Sequence, residues 1–360
     1  MHARKIAGGL AILVDGALAR PATAAPNDPY FSRQWGLVKV QAEQAWTVTT
    51  GNAALIAIVD SGVDLTHPDL DGNIVSYPDA DLVEPEGNCS NKKGIKSCTQ
   101  DGAQDENGHG THVAGIAAAE TGNGLGVAGV APGAKILPVR VLDADGAGTT
   151  QRVADGIKFA ADRGALVVNL SLGYDATGHV SKLLGNLRPV YGAIDYAVGK
   201  GAVVVVAAGN GPLGELSGPG VPLCAEPAQH PGVLCVGAVD QRDAPSWFGN
   251  FDATTTGSYL VAPGGEGGDT LTCAGDIFST YLRSAGAPSC SPEQGYEALA
   301  GTSMAAPLVS GVAGLLAGKG LTSQQIIDCL TSTADDLGVP GRDPVYGYGR
   351  VNAYRAVTGC

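Results

Sequence analysis

The chain has 360 residues, 44% hydrophobic and only 5% aromatic, with 54 glycines that follow no fixed period. This is the composition of a globular chain with many tight turns, and it excludes collagen-like or low-complexity architectures. The formal charge of -13 is the wrong sign for gripping a phosphate backbone, which excludes a nucleic-acid partner, and no run of about 20 apolar residues is present to span a membrane.

The chain opens with "MHARKIAGGLAILVDGALARPATAAPNDPYF", where basic residues precede "IAGGLAILV" and small residues run through Ala25. That order resembles a secretion signal, although Asp15 and Arg20 interrupt it, so residues 1–26 read as a signal-like segment or as the remnant of a longer leader. Folded structure is expected to begin near Asn27.

Nearly continuous runs of Val, Ile, Leu and Ala follow: "ALIAIVD" (54–60), "AKILPVRVLD" (134–143), "ALVVNLSLG" (165–173), "AVVVVAAGN" (202–210) and "VLCVGAVD" (233–240). Such runs are expected of strands covered on both faces. Between them "THVAGIAAAE", "TTQRVADGIKFAADRG" and "RPVYGAIDYAVGKG" read as helices, the last with a proline near its start. Two more helices are expected, one from Thr302 or Ser303 and one over "TSQQIIDCLTST". The alternation predicts βαβ units around a mostly parallel sheet, an α/β fold. No repeat or linker divides residues 27–360, which read as one domain.

Eight cysteines fall into sequence neighbours: Cys89 with Cys98, Cys224 with Cys235, Cys273 with Cys290, and Cys329 with Cys360. An even count without CxxC spacing reads as four disulfides in an oxidising compartment; other connectivities and scattered buried thiols remain open.

In open α/β sheets, ligands bind beyond the carboxyl ends of the strands, and three of those ends are polar here. "IAIVDSG" ends on Asp60, "VNLSLGY" on Ser171, Leu172 and Gly173, and "VVVAAGN" on Asn210. Each has an ordinary reading as a turn or cap residue. His109 stands in "NGHGTHVAG" between glycines that allow close approach of another chain segment, and Ser303 opens a helix in "LAGTSMAAPLVSGVAG". The i,i+3 pair of His109 and His112 without HExxH is a weak zinc signal. Serine becomes a strong nucleophile when a base takes its proton, and that base needs a carboxylate to orient it; Asp60, His109 and Ser303 supply the three chemistries. Asn210 and the Ser303 N–H are candidate oxyanion donors.

The segments "IVDSGVD" (58–64), "NGHGTHVAG" (107–115), "NLSLG" (169–173), "VVVVAAGN" (203–210), "VAPG" (261–264) and "GTSMAAP" (301–307) resemble, in order, those of the subtilisin-like serine proteases. The start "NDPYFSRQWGLVKVQAEQAW" is similar to the mature start on the thermitase and proteinase K side of that superfamily, although "HGTHVAG" has valine where those groups often have cysteine. The order Asp, His, Ser separates the arrangement from chymotrypsin-like proteases and α/β-hydrolases, and the esterase elbow GxSxG is missing. A non-catalytic relative would normally have lost one of these residues.

The resemblance implies a three-layer αβα subtilisin-like peptidase domain over residues 27–360. It implies a secreted, extracellular, monomeric serine endopeptidase of broad specificity, with Asp60, His109 and Ser303 as triad and Asn210 as oxyanion donor. Peptide substrates would pair along Ser171, Leu172 and Gly173, with Ala207, Ala208 and Gly209 as the opposite pocket wall. Glu226 reads as a solvated surface residue, with a pocket role favouring basic side chains as the alternative. A structural Ca2+ is implied, held by Asp28, Asp69 and Asn123 side chains and by the carbonyls of Thr121, Leu125 and Val127. "DGAQDENG" (101–108) is acidic enough to offer a second calcium site. A removed N-terminal prodomain, acting as inhibitor, is implied as well. Two stretches depart from the simplest relatives: residues 81–104, which contain Cys89 and Cys98, and residues 175–189 beyond the substrate segment.

Overall fold

The computed structural model describes residues 25–83, 102–173, 182–184, 186–211, 219–254, 257–268, 273–285, 290 and 294–360. The Cys89–Cys98 pairing and most of the two extended stretches lie outside the described residues.

Among the described residues ten strands are formed: β1 (Leu55–Asp60), β2 (Lys135–Arg140), β3 (Ala147–Thr149), β4 (Val167–Leu170), β5 (Lys182–Leu184), β6 (Val203–Ala207), β7 (Val233–Val239), β8 (Ser258–Pro263), β9 (Ile277–Thr280) and β10 (Tyr296–Leu299). Eight α-helices accompany them: α1 (Trp35–Lys39), α2 (Ala42–Trp46), α3 (His109–Ala118), α4 (Thr150–Asp162), α5 (Arg188–Gly199), α6 (Thr302–Gly318), α7 (Ser323–Ser332) and α8 (Ala353–Gly359). Six strands make one sheet in the order β2-β1-β4-β6-β7-β8, parallel throughout.

Alternate residues along a strand face opposite sides of the sheet, and each side has its own core. Ile56, Ile58, Val203 and Val205 join α3 and α6 on one side; Ala57, Val59, Val204 and Val206 join α4 and α5 on the other. Apolar side chains on both strand faces therefore produce three layers, as the uninterrupted runs predict. Helix α6 is buried from Thr302 to Ala317, which makes it the central helix of its layer.

Sequence and structure differ at β4. The expected strand over 165–173 ends at Leu170, because its pairing with β1 stops at Asn169 and with β6 at Leu170. Ser171, Leu172 and Gly173 run on past the sheet without ladder partners in it. Strand order reverses between β1 and β4, and the crevice at that switch point is where a ligand site belongs.

Disulfides join Cys224 to Cys235, Cys273 to Cys290 and Cys329 to Cys360. No helix among the described residues is long and apolar enough to cross a membrane.

Candidate active site

At the carboxyl edge of the sheet Asp60 meets His109, while Ser303 meets Ser171 and its neighbour Thr302 meets Asn210. Asp60 is the last residue of β1, His109 the first of α3, and Ser303 lies in the first turn of α6. Asp60 Oδ1 accepts from His109 Nδ1 at 2.8 Å and from the Ser61 N–H at 2.7 Å. The carboxylate is fully buried, while the His109 ring keeps 16% exposure toward the crevice. A Cβ at position 110 would clash with the Gly62 carbonyl oxygen, so Gly110 allows α3 to approach β1 closely enough for this bond.

Burial opposes a charged His109, but the Asp60 charge, their hydrogen bond and the charge on Asp105 together outweigh it. Its pKa is raised above the ordinary 6.5. With Nδ1 held by Asp60, Nε2 is the nitrogen left for proton transfer. His112 is different: burial first, then His109, depress it to about 3, and its Nε2 contacts the Glu297 carbonyl at 3.1 Å. It is a neutral core histidine, and the two imidazoles have separate partners.

Asp105 is a positioning residue that the sequence reading did not single out. Its carboxylate accepts from the N–H groups of Asn107, Gly108 and Thr111 and from Thr111 Oγ1, capping α3 where His109 begins. Glu106 binds Arg140 at 2.6 Å. Asp105 and Glu106, the described carboxylates of the stretch 101–108 expected to offer a second calcium site, take these partners inside the protein.

Ser303 is anchored through its main chain. Pro307 lies inside α6 and has no N–H, so the Ser303 carbonyl loses its normal i+4 donor. Ser171 Oγ takes that place, donating to Ser303 O at 2.8 Å. A relay continues behind it: Asn169 Nδ2 donates to Ser171 Oγ, and Ser310 Oγ donates to Asn169 Oδ1. Buried polar residues inside an apolar strand and an apolar helix were the available signal, since such groups need partners. Ser303 Oγ itself donates to the Ser171 carbonyl at 3.2 Å and not to His109.

Asn210 follows β6. Its Oδ1 accepts from the Thr302 N–H at 2.9 Å and from Thr302 Oγ1 at 3.0 Å. A backbone N–H can donate only to the amide oxygen, which fixes the flip of the side chain and leaves Nδ2 as the outward donor. Thr302 Oγ1 also accepts from the Gly209 N–H, so the pocket wall and the start of α6 are pinned together. The Ser303 N–H belongs to the first turn of that helix, where N–H groups lack intrahelical acceptors.

Leu172, Ala207 and Ala208 are buried, with Gly173 and Gly209 partly open beside them. The loop carrying Ala225 closes the space between these walls, its N–H bonded to Ala208 O. A second cavity of about 150 Å³ adjoins His109, walled by Asn107, Leu142, Tyr281 and Leu299.

Of the six residues proposed for calcium, Asp28, Asp69, Asn123 and Val127 are linked by hydrogen bonds. Asp28 accepts from the N–H groups of Gly122 and Asn123, and Asp69 from Asn123 Nδ2 and the Val127 N–H. Burial first, with Asp28 and Glu120 adding like charge, raises Asp69 to about 7. In the same loop the carbonyls of Ala119, Gly126 and Ala128 accept hydrogen bonds. Among the described residues no three His, Cys, Asp or Glu side chains gather at a metal-binding spacing, so a cation here depends on backbone and amide oxygens. The donor chemistry fits a hard cation, which would relieve the like-charge burial at Asp69.

A model of the Subtilase family matches residues 51–349. The chain is 43% identical to thermitase of Thermoactinomyces vulgaris over 333 residues, covering 92% of this chain and 99% of that protein. It is 40% identical to a thermophilic serine proteinase of Bacillus sp. (strain AK1) over 336 residues, 92% of this chain and 69% of that one. Among solved structures, a protease from Pseudoalteromonas arctica superposes with a TM-score of 0.74 at 31% identity, covering 93% of this chain and 99% of that chain. With this agreement between family, relatives and fold, the chain belongs to the subtilase family and is a subtilisin-like serine endopeptidase.

Proposed function

We propose that Asp60, His109 and Ser303 are the catalytic triad and that Asn210 Nδ2 and the Ser303 N–H form the oxyanion hole. The observation that carries this is the 2.8 Å bond between buried Asp60 and His109 Nδ1, in the crevice where α6 presents Ser303. A substrate strand pairing along Ser171 to Gly173 competes for the Ser171 carbonyl, and the Ser303 hydroxyl then turns from it to His109 Nε2. Ser303 Oγ attacks the peptide carbonyl as His109 takes its proton; the oxygen of the tetrahedral intermediate draws on Asn210 and the helix N-terminus. His109 passes the proton to the leaving amine, and water repeats the sequence on the acyl-enzyme. Asp60 stabilises the imidazolium throughout.

Ala207, Ala208 and Gly209 form the wall opposite that strand. Main-chain pairing reads few side chains, so specificity is broad at most substrate positions. Residues 27–360 act as one peptidase domain, residues 1–26 are a signal-like segment or leader remnant, and the mature enzyme is a secreted monomer released from an inhibitory prodomain. The three disulfides support an oxidising compartment. Asp28, Asp69 and Asn123, with the carbonyls of Thr121, Leu125 and Val127, would hold a structural Ca2+, which fastens the 121–127 loop to the N-terminal segment.

The test is hydrolysis of a peptide library in calcium by the protein and by Ser303→Ala. Cleavage by the parent, with kcat reduced about 10^6-fold in the variant, is expected; that magnitude comes from subtilisin, the type case. Equal cleavage by both folded proteins would remove Ser303 from the mechanism.

A further inference from the structure

The slot between Ser171–Gly173 and Ala207–Gly209 ends at Ala225. The Ala225 Cβ lies 2.7 Å from where a Cβ on Gly209 would stand and 3.8 Å from where one on Gly173 would stand. Its N–H donates to Ala208 O at 2.7 Å, and the residue stays partly exposed, as the end of an open slot should. Residues 219–232, which carry Ala225, contain no helix or strand. A segment without ladder or helix bonds keeps its place only through the individual links that tie it down.

The strongest of those links is covalent. Cys224, immediately before Ala225, is bonded to Cys235. Cys235 lies inside β7, paired with Val206 of β6 on one side and with Tyr259 of β8 on the other, so its position is fixed by the sheet. Val206 in turn directly precedes the slot wall Ala207–Gly209. One disulfide therefore joins the end of the slot to the strand beside its wall. The same disulfide borders a cavity of about 280 Å³, shared with Ala228, His230, Val233 and Asp252. Packing around the loop is open there, and a void supplies none of the contacts that would otherwise hold it.

We infer that the Cys224–Cys235 disulfide is a positioning element of the substrate pocket: it fixes Ala225 at the end of the slot and thereby sets how strongly the enzyme selects a large apolar side chain before the scissile bond. The inference rests on the proteolytic reading above and adds what makes its pocket selective. An end wall that stays in place lets a side chain of matching length fill the slot and shed its water; a wall that gives way forfeits those contacts. A short side chain does not reach the wall and is indifferent to it. Cys329–Cys360 provides the contrast, because it joins α7 to the last residue, on elements that carry no part of the slot.

The experiment measures kcat and KM on peptides that differ only in the residue before the cut, Ala, Leu or Phe. The enzymes are the parent, Cys224→Ala with Cys235→Val, and Cys329→Ala with Cys360→Ala, each titrated for active sites and assayed well below its Tm. The parent is expected to favour the better of Leu and Phe over Ala by at least about tenfold in kcat/KM, the worth of a filled apolar pocket. In the 224/235 pair that ratio should fall at least about threefold, through KM, while kcat on the Ala peptide stays within about twofold. In the 329/360 pair the ratio should hold at the parent's value, although that bridge joins residues 31 apart against 11 and, on loop-closure grounds, contributes more stability. Reduction of the folded parent, with alkylation of Cys224 and Cys235 followed by peptide mapping, should lower the ratio in step with the alkylated fraction, and gives the same readout where the 224/235 pair does not fold. A ratio that does not fall in the folded 224/235 pair or in the reduced parent, one that falls equally in both pairs, or equal rates of the parent on all three peptides would overturn the inference while leaving the protease intact. Inertness of the parent toward every peptide would overturn the proteolytic reading and this inference with it.

Discussion

Asp60 and Asp69 are both 0% exposed, and both stand where distant chain segments meet. Asp60 at the end of β1 has an imidazole as partner, His109, which can take up a positive charge. Asp69 has only amide donors, Asn123 Nδ2 and the Val127 N–H, with Asp28 and Glu120 adding negative charge around it. On the proposed reading, one buried carboxylate stabilises a cation that the protein supplies and the other would receive a cation from solution; the two differ in the partner the fold provides, not in burial.

The most severe way to break the first arrangement is Asp60→Asn, which keeps the shape and removes the charge. Activity is expected to fall about 10^4-fold, as it does for the corresponding residue in serine proteases generally. Asp60 is a leading cause of the raised His109 pKa, so the acid limb of kcat/KM, where His109 becomes neutral, lies above pH 6.5 in the parent and moves to lower pH in the variant. A residual pH profile identical to the parent's would contradict the role given to Asp60. Asn210→Ala tests the oxyanion side: a loss of about 10^2- to 10^3-fold in kcat with little change in KM is expected, again on subtilisin's scale.

The second arrangement is sharpened by a chelator. Calcium at about 100 times its Kd adds about 2.7 kcal/mol of stability, so its removal should lower the Tm of a domain this size by roughly 4 °C. Without calcium, the raised Asp69 pKa means that the folded state favours the protonated carboxyl. The associated stability is present below pH 3.8 and is lost as pH rises through about 7. In chelator the Tm should therefore fall across that window, and Asp69→Asn should flatten the slope. A melt indifferent to chelator would remove calcium from the account.

The smallest expected effect belongs to the relay behind Ser303. Ser171→Ala leaves the Ser303 carbonyl without a donor, because Pro307 cannot supply one. A loss of about 1–3 kcal/mol is expected in thermal unfolding. Restoring an N–H with Pro307→Ala in the same chain should recover part of it.

Much of this was legible in the sequence because it resides in short contiguous motifs. Asp60, His109, Asn210 and Ser303 each occupy a strand end or helix start that can be located from apolar runs and glycines. Strand β8 was missed as a strand: "SYLVAP" is short and has no helix-strand contrast, and only its "VAPG" end was noticed as a motif. The end of β4 was placed too late, because a sequence run carries no information about where its neighbours' pairing stops. Asp105 and the relay of Asn169 and Ser310 were missed because their partners lie on other segments. The proposed carbonyl ligands Thr121, Leu125 and Val127 have no side-chain signature at all, so they came through family resemblance. Glu226 was read as solvated; it is half-buried, and nothing in "LCAEPAQHPG" records that one of its carboxylate oxygens is sealed from solvent.

The central claim is that one serine, set between Asn210 and His109, is the nucleophile. It is tested most directly by treating the active enzyme with a serine-directed acylating or sulfonylating reagent and locating the adduct by peptide mass mapping. The account predicts a single adduct on Ser303, formed in step with loss of activity and suppressed in His109→Ala. Complete inactivation with the adduct on another residue, or full activity retained with Ser303 modified, would contradict it.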